Sequence, residues 1–204
     1  MRLSLVYRTE NTGVVEFFQK GTCLLNRKKK HSPVTMNPFR FSPIHDTTQL
    51  MKAITHIHAA CHALCKQTMG KYLPVAGNIG VFCHFEDEYA FLKKLQAELT
   101  DLTKSVYGKY FWLHEPIIIP SKDSIPGASY RYLYIRKPDP SKPQVGDVDF
   151  YLEPVKHAAL KQSLLDGKLI KGARILPNRP ELDFIELYDP DIDAWGYVGK
   201  YIWQ

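Results

Sequence analysis

Gly146-Asp147-Val148-Asp149-Phe150-Tyr151 is the stretch on which the fold turns, because Gly77-Asn78-Ile79-Gly80-Val81-Phe82 stands earlier in the same chain with a similar cast. Each opening is followed at once by an acidic, amphipathic stretch, Glu86 to Leu99 in one case and Glu153 to Leu165 in the other. Each then closes on an aromatic-rich run that breaks at a Pro-Asp turn. The first is Tyr132-Leu133-Tyr134-Ile135-Arg136-Lys137-Pro138-Asp139, and the second is Phe184-Ile185-Glu186-Leu187-Tyr188-Asp189-Pro190-Asp191. One small pattern is thus written twice, over about residues 75–140 and 144–204, with the second copy shorter in its loops.

Within the first copy the reading is a strand at Ile79–Cys83, a helix at 86–99, a strand at Tyr110–Ile119 and a strand at Tyr130–Arg136. Pro116 cannot donate to a ladder, which points to an edge position for the second of these strands. Tyr130, Tyr132 and Tyr134 are expected to share a face, because strand side chains alternate. The second copy reads strand (Val145–Leu152), helix (Pro154–Leu165), strand (Ala173–Leu176) and strand (Leu182–Tyr188), and the aromatic tail from Ala194 to Trp203 adds one more. Pro154 suits a first helical turn, where its missing N–H is not needed.

Ahead of the doubled pattern, Thr47–Met69 reads as a long helix. Asp46, Thr47 or Thr48 serves as its cap and Gly70 as its stop. Leu50, Ile54, Ile57, Cys61 and Leu64 recur at helical spacing and mark a core-facing stripe. His58 and His62 are spaced i,i+4, as two imidazoles on one metal would be, but the Glu of a HExxH motif is absent and a structural role is the better reading. Residues 3–7 and 14–18 form a candidate hairpin around Asn11-Thr12-Gly13, and Arg27-Lys28-Lys29-Lys30 a basic loop. Pro33, Pro38 and Pro43 mark an irregular connection. The expected organisation is an N-terminal extension over 1–70 and a paired-module domain over 71–204. The expected fold class is α+β, with duplicated βαββ(β) modules, sheets curled around a cleft, and one long helix in the extension.

Composition fits a folded protein: 204 residues, 45% hydrophobic and 24% charged. A net charge of +6 permits attraction to anionic partners without requiring it. Four cysteines with no CxxC pair suit reduced thiols and a cytoplasmic location. No apolar run approaches the ~20 residues that span a bilayer, so no membrane partner is expected.

Asp147 and Asp149 are the most informative polar residues. They are i,i+2 on a strand, so their carboxylates share a face with Tyr151 while Val148, Phe150 and Leu152 point the other way. Like charges this close raise one another's pKa unless a cation intervenes, as in metal sites and general acids. A solvated outer face is the plainer alternative. Asp147, Asp149 and Glu186 are the candidate oxygen ligands or acid/base groups, suited to a hard divalent cation, with Asp147 and Glu186 as the metal pair. Tyr132, Tyr134 and Arg136 are the candidate ligand-binding side chains. His84 and His114 have no partner visible in the sequence. Asp-x-Asp also occurs in nucleotidyltransferases, but the nearest pair-like element, Gly127-Ala128-Ser129, opens a strand and lies far upstream. The competing class is a nucleic-acid or protein interaction module using Arg27 to Lys30, Arg131, Arg136 and exposed tyrosines.

The doubled βαββ order, with Leu165-Asp166-Gly167, the Gly172-Ala173-Arg174 strand and Tyr188-Asp189-Pro190-Asp191, resembles the vicinal oxygen chelate superfamily of glyoxalases, bleomycin-resistance proteins and extradiol dioxygenases, over about residues 75–198. The resemblance implies paired βαβββ modules around a cleft and a small-molecule ligand, with a divalent-metal-dependent lyase, isomerase or dioxygenase as one branch. Metal enzymes of that family place a His at the start of a module's first strand, where Asn78 and Asp147 stand here, and a carboxylate on the last strand, near Gly196 here. The missing His favours the branch that binds small molecules without a metal. A homodimer is the expected assembly, and nucleic acid is the less favoured partner.

Overall fold

The protein, in a computed structural model, is described here over residues 39–176 and 183–203. Residues 37–204 form one compact unit. The candidate hairpin and the basic loop lie outside the described residues. The fold is α+β: three helices and one mixed sheet of eight strands among the described residues.

The first helix, α1 (Thr47–Met69), starts where expected. Asp46 is extended and its Oδ1 accepts from the Gln49 N–H at 2.7 Å, satisfying one orphan donor of the first turn. It stops at Gly70, whose φ of 72° is the left-handed cap that glycine takes without strain. The stripe Leu50, Ile54, Ile57, Cys61 and Leu64 is buried, as patterned, and packs against the sheet in one continuous core.

The chain then runs β1 (Val75–Phe82), α2 (Glu86–Leu99), β2 (Thr100–Val106), β3 (Tyr110–Ile119), β4 (Ala128–Arg136), β5 (Gly146–Tyr151), α3 (Pro154–Leu165), β6 (Ala173–Ile175), β7 (Ile185–Leu187) and β8 (Ala194–Gly199). Strand order across the sheet is β2-β3-β4-β1-β5-β8-β7-β6. The two central strands, β1 and β5, are antiparallel. On one side β1 pairs β4 in parallel, and β4, β3 and β2 follow antiparallel. On the other side β5 pairs β8 in parallel, and β8, β7 and β6 follow antiparallel.

Three expectations change. A strand lies at Thr100–Val106, where no strand was read, so four strands follow the same pairing pattern on each side of the centre. β3 is not an edge: it sits between β2 and β4, and Pro116 falls where the β3–β4 register shifts between Trp112 and Ile117. A proline is tolerated at such an irregularity because no ladder bond is lost. The three tyrosines of β4 do not share a face. Tyr130 is in the core with its hydroxyl on His58 Nδ1 at 2.8 Å, whereas Tyr132 packs edge-on against Trp112 and Trp203. The register shift in β3 lies opposite the step from Tyr132 to Tyr130, and strict alternation does not carry across it.

His58 and His62 are held as structural groups. A carbonyl can only accept, so the His58 Nε2–H donates to Pro126 O at 3.1 Å and its Nδ1 accepts from Tyr130. The His62 Nδ1–H donates to His58 O at 2.9 Å. Burial lowers both imidazoles, His58 to about 4. Glu88 is also buried: its carboxylate accepts from the backbone N–H groups of Ile44 (3.0 Å) and His84 (2.8 Å), pinning the segment before α1 to the start of α2. No helix among the described residues is long and apolar enough to cross a membrane.

Candidate functional site

Strand β5 builds the site because alternation sends its side chains to two different environments. Val148 and Phe150 are fully buried against the helix side. Asp147 and Asp149 face the other way, yet they are only 5% and 3% exposed. The solvated outer face is therefore overturned: both carboxylates lie at the floor of a cavity of about 530 Å³. Aromatic side chains wall it, among them Phe82, Tyr110, Tyr134, Phe184, Trp195 and Tyr197.

Register fixes the rows of the floor. Tyr134, Gly80, Asp147 and Trp195 stand side by side across β4, β1, β5 and β8. Asp149, Tyr197, Glu186 and Arg174 stand side by side across β5, β8, β7 and β6. Strands lie about 4.8 Å apart, so Asp149 and Glu186 are about 10 Å apart at Cα, and Asp147 and Asp149 about 7 Å apart along one strand. Asp147, Asp149, Glu186, Tyr134 and Arg136 thus line one cavity. Tyr132 lines a smaller neighbouring cavity of about 220 Å³, closed by Trp203, which Asp149 also reaches.

The carboxylates differ in how they are held. Glu186 is 3% exposed but ion-paired, with Arg174 Nε at 2.9 Å and Nη2 alongside. Asp147 and Asp149 have no ion pair among the described residues, and Asp147 Oδ1 is buried without a hydrogen-bond partner. That oxygen occupies the space over Gly80: a Cβ built there would lie 2.1 Å from it. Burial pushes the Asp147 carboxyl up to about 7, against the opposing pull of the Arg136 guanidinium and, more weakly, of the Gly80 backbone N–H beside it. Asp149 is pushed well above the usual carboxylate range by burial first and by the Asp147 charge second, with the Asn78 amide opposing. The same burial, followed by the aspartate charges, raises the Tyr110 and Tyr197 phenols, so both remain hydroxyl donors.

The cavity's cations are largely engaged. Arg136 and Lys142 share Asp139 at 3.5 Å each, and Arg174 holds Glu186. The Arg136 guanidinium lies 4.5 Å from the Phe82 ring and 5.7 Å from Trp195. Among the described residues, no three His, Cys, Asp or Glu side chains lie close enough together to hold a metal ion. The strand spacing explains this, since Tyr197 stands between Asp149 and Glu186.

Sequence reasoning missed Gly80, Trp195, Tyr197 and Arg174 as residues of this site. A glycine inside a strand signals a close approach, which is what Gly80 provides. The others required the register. Of the two remaining histidines, His84 stacks on Phe39 at 3.9 Å and bonds Ser42 and Lys142 O. His114 is exposed.

No protein-family model and no curated protein matches the sequence. A solved structure described as "Structural Genomics, Protein EC4020" is similar at 15% identity, covering 74% of this chain and 87% of that one, with a TM-score of 0.44. A likeness at that level defines neither fold nor function.

Proposed function

We propose that the protein is a small-molecule-binding protein of vicinal oxygen chelate type, made of two βαβββ modules set side by side, with the aspartate-floored cavity as its ligand cleft. The paired modules are supported by the strand order, in which each half has its first strand parallel to its fourth and the two first strands meet at the centre. The ligand cleft is supported by one observation above all: a fully buried carboxylate oxygen, on Asp147, without a partner, at the floor of an aromatic-walled cavity. Buried polar atoms are nearly always satisfied, and those that are not mark places completed by something else.

Asp147 and Asp149 together are equipped to hold and move a single proton. Two neighbouring carboxyls with raised pKa values supply an acid and a base side by side near neutral pH. Lyase or isomerase chemistry by proton transfer is the reaction type this would serve. A divalent metal, implied by the resemblance, would find Asp147 and Asp149 but not Glu186, which Arg174 occupies. The metal centre of that family is poorly matched by this donor set. The nucleic-acid alternative loses part of its surface, because Tyr132 is buried and Tyr134 and Arg136 sit within cavities.

The test is thermal unfolding of the wild type and Asp147→Ala against a library of small carboxylates, phenols and amines, with and without magnesium, manganese, iron or zinc. Compounds that raise Tm in the wild type and not in the variant are expected. A library that shifts neither protein, or both equally, counts against the cleft. One equivalent of metal in the purified wild type, lost from the variant, would restore the metal-dependent branch.

A further inference from the structure

The floor and the rim of the cavity differ in their charge pairing. At the rim, Arg136 and Lys142 already share the Asp139 carboxylate, and Arg174 is bound to Glu186. Lys109, at the exposed edge, has no carboxylate among the described residues. At the floor the two aspartates have no cation in hydrogen-bond contact, and Asp147 Oδ1, packed over Gly80, makes no hydrogen bond of good geometry. A buried carboxylate without a counter-charge is costly, and a cation brought to it recovers that cost.

The walls are suited to the same guest. Trp195 and Asp147 are direct register partners, and Tyr134 and Asp147 flank Gly80 on either side. Phe82 meets Trp195 edge to face at 5.8 Å, and Tyr110 lies 5.1 Å from Tyr134. Aromatic faces around an anionic floor attract organic cations through the ring quadrupole and bury a ligand ring by stacking. Trp195 already attracts cations: Arg136 and Lys142 lie 5.7 Å and 5.5 Å from its ring. Gly80 leaves the space over the floor that any larger residue would fill.

Resting on the reading of the cavity as a ligand cleft, we infer that its ligand class is an organic amine, a protonated ammonium group on a ring or short apolar body, with the ammonium set against Asp147 and Asp149 and the ring between Trp195 and Tyr134. Apart from Lys109 at the exposed edge, the rim cations would have to leave their partners to take an anionic ligand, which would also meet the acidic floor below. A neutral ligand would leave the floor charge uncompensated.

The probes are benzylamine, benzyl alcohol and benzoate, which share a ring and differ in the charge of the head. Each is titrated at low salt into the full chain, with the indole N–H signal of Trp195 followed by NMR and assigned through Trp195→Phe. Benzylamine is expected to shift that signal with an apparent Kd at least ten-fold below that of benzyl alcohol, with benzoate weaker still. In Asp147→Asn the amine's advantage over the alcohol should shrink by about ten-fold, and Asp149→Asn serves as the second variant if the first does not fold. An alcohol or benzoate that binds as tightly as the amine and moves Trp195 overturns the amine inference and leaves the cleft standing. An amine advantage unchanged in both variants also overturns it. Three probes that leave Trp195 unmoved overturn the cleft as well.

Discussion

Two histidines on α1 and two aspartates on β5 are buried to similar depth: His58 and His62 are 3% and 1% exposed, Asp147 and Asp149 5% and 3%. Both pairs are pushed toward their neutral forms by burial. They part company in their partners. His58 has a donor and an acceptor, Tyr130 and Pro126, matched to one tautomer, and His62 bonds back to its own helix. Asp147 leaves an oxygen with nothing to accept from. Burial alone therefore says little about function. A buried polar group with its hydrogen bonds complete holds the fold together, and one left incomplete at a cavity points to what the cavity takes.

The largest expected break in this comparison is His58→Ala, which strands the Tyr130 hydroxyl and Pro126 O and opens a void. Urea unfolding should show a loss of about 2–4 kcal/mol. Asp147→Asn should do the reverse: at pH 8 it removes a charge that burial disfavours, and a gain of about 1–3 kcal/mol is expected. A loss of that size would mean the carboxylate is paired after all. Arg174→Ala separates Glu186 from the aspartates. It should cost about 1–3 kcal/mol, less than a fully buried pair because Arg174 is partly exposed. Gly80→Ala should cost about 1–3 kcal/mol, because its Cβ would overlap the buried Asp147 carboxylate and force it to move. It should push the Asp147 carboxylate off its floor position and lower its titration midpoint toward the ordinary range.

The pH dependence sharpens the same contrast. His58 titrates near 4 in the fold and near 6.5 unfolded, so the unfolded chain binds more protons between those values and stability falls as pH drops through them. Asp147 titrates near 7 in the fold and near 3.8 unfolded, so the native chain binds more protons between those values and stability falls as pH rises through them. The two slopes oppose one another from about pH 4 to 6.5. The stability advantage of Asp147→Asn over the wild type should grow from pH 4 to 7 and level off above it, as read by denaturant titration at each pH.

Much of this was legible in the chain. Asp46, Gly70 and Pro154 placed helix ends because caps and N1 prolines act through local backbone groups. The alternation around Val148 and Phe150 sorted β5 into a core face and an acidic face. What local pattern could not supply was the neighbourhood of the acidic face: β1 and β8 lie on either side of β5 in the sheet, and only the register brings Gly80, Trp195 and Tyr197 there. β2 was missed because Thr100-Asp101-Leu102-Thr103-Lys104-Ser105-Val106 is a mostly exposed edge strand without apolar alternation. Tyr130 was misassigned because a register shift interrupts the two-residue period. Arg174 gave no sign in the sequence that it would neutralise Glu186.

The central claim is that the Asp147 carboxylate is buried and unpaired at the cavity floor. Its most direct measurement is a carbon-13 NMR titration of the aspartate side-chain carboxyls, with Asp147→Asn and Asp149→Asn used for assignment. The account predicts a midpoint for Asp147 near 7 and one for Asp149 well above the usual carboxylate range. Midpoints near 4 for both would contradict it, because they would place the two carboxylates in water or against a cation.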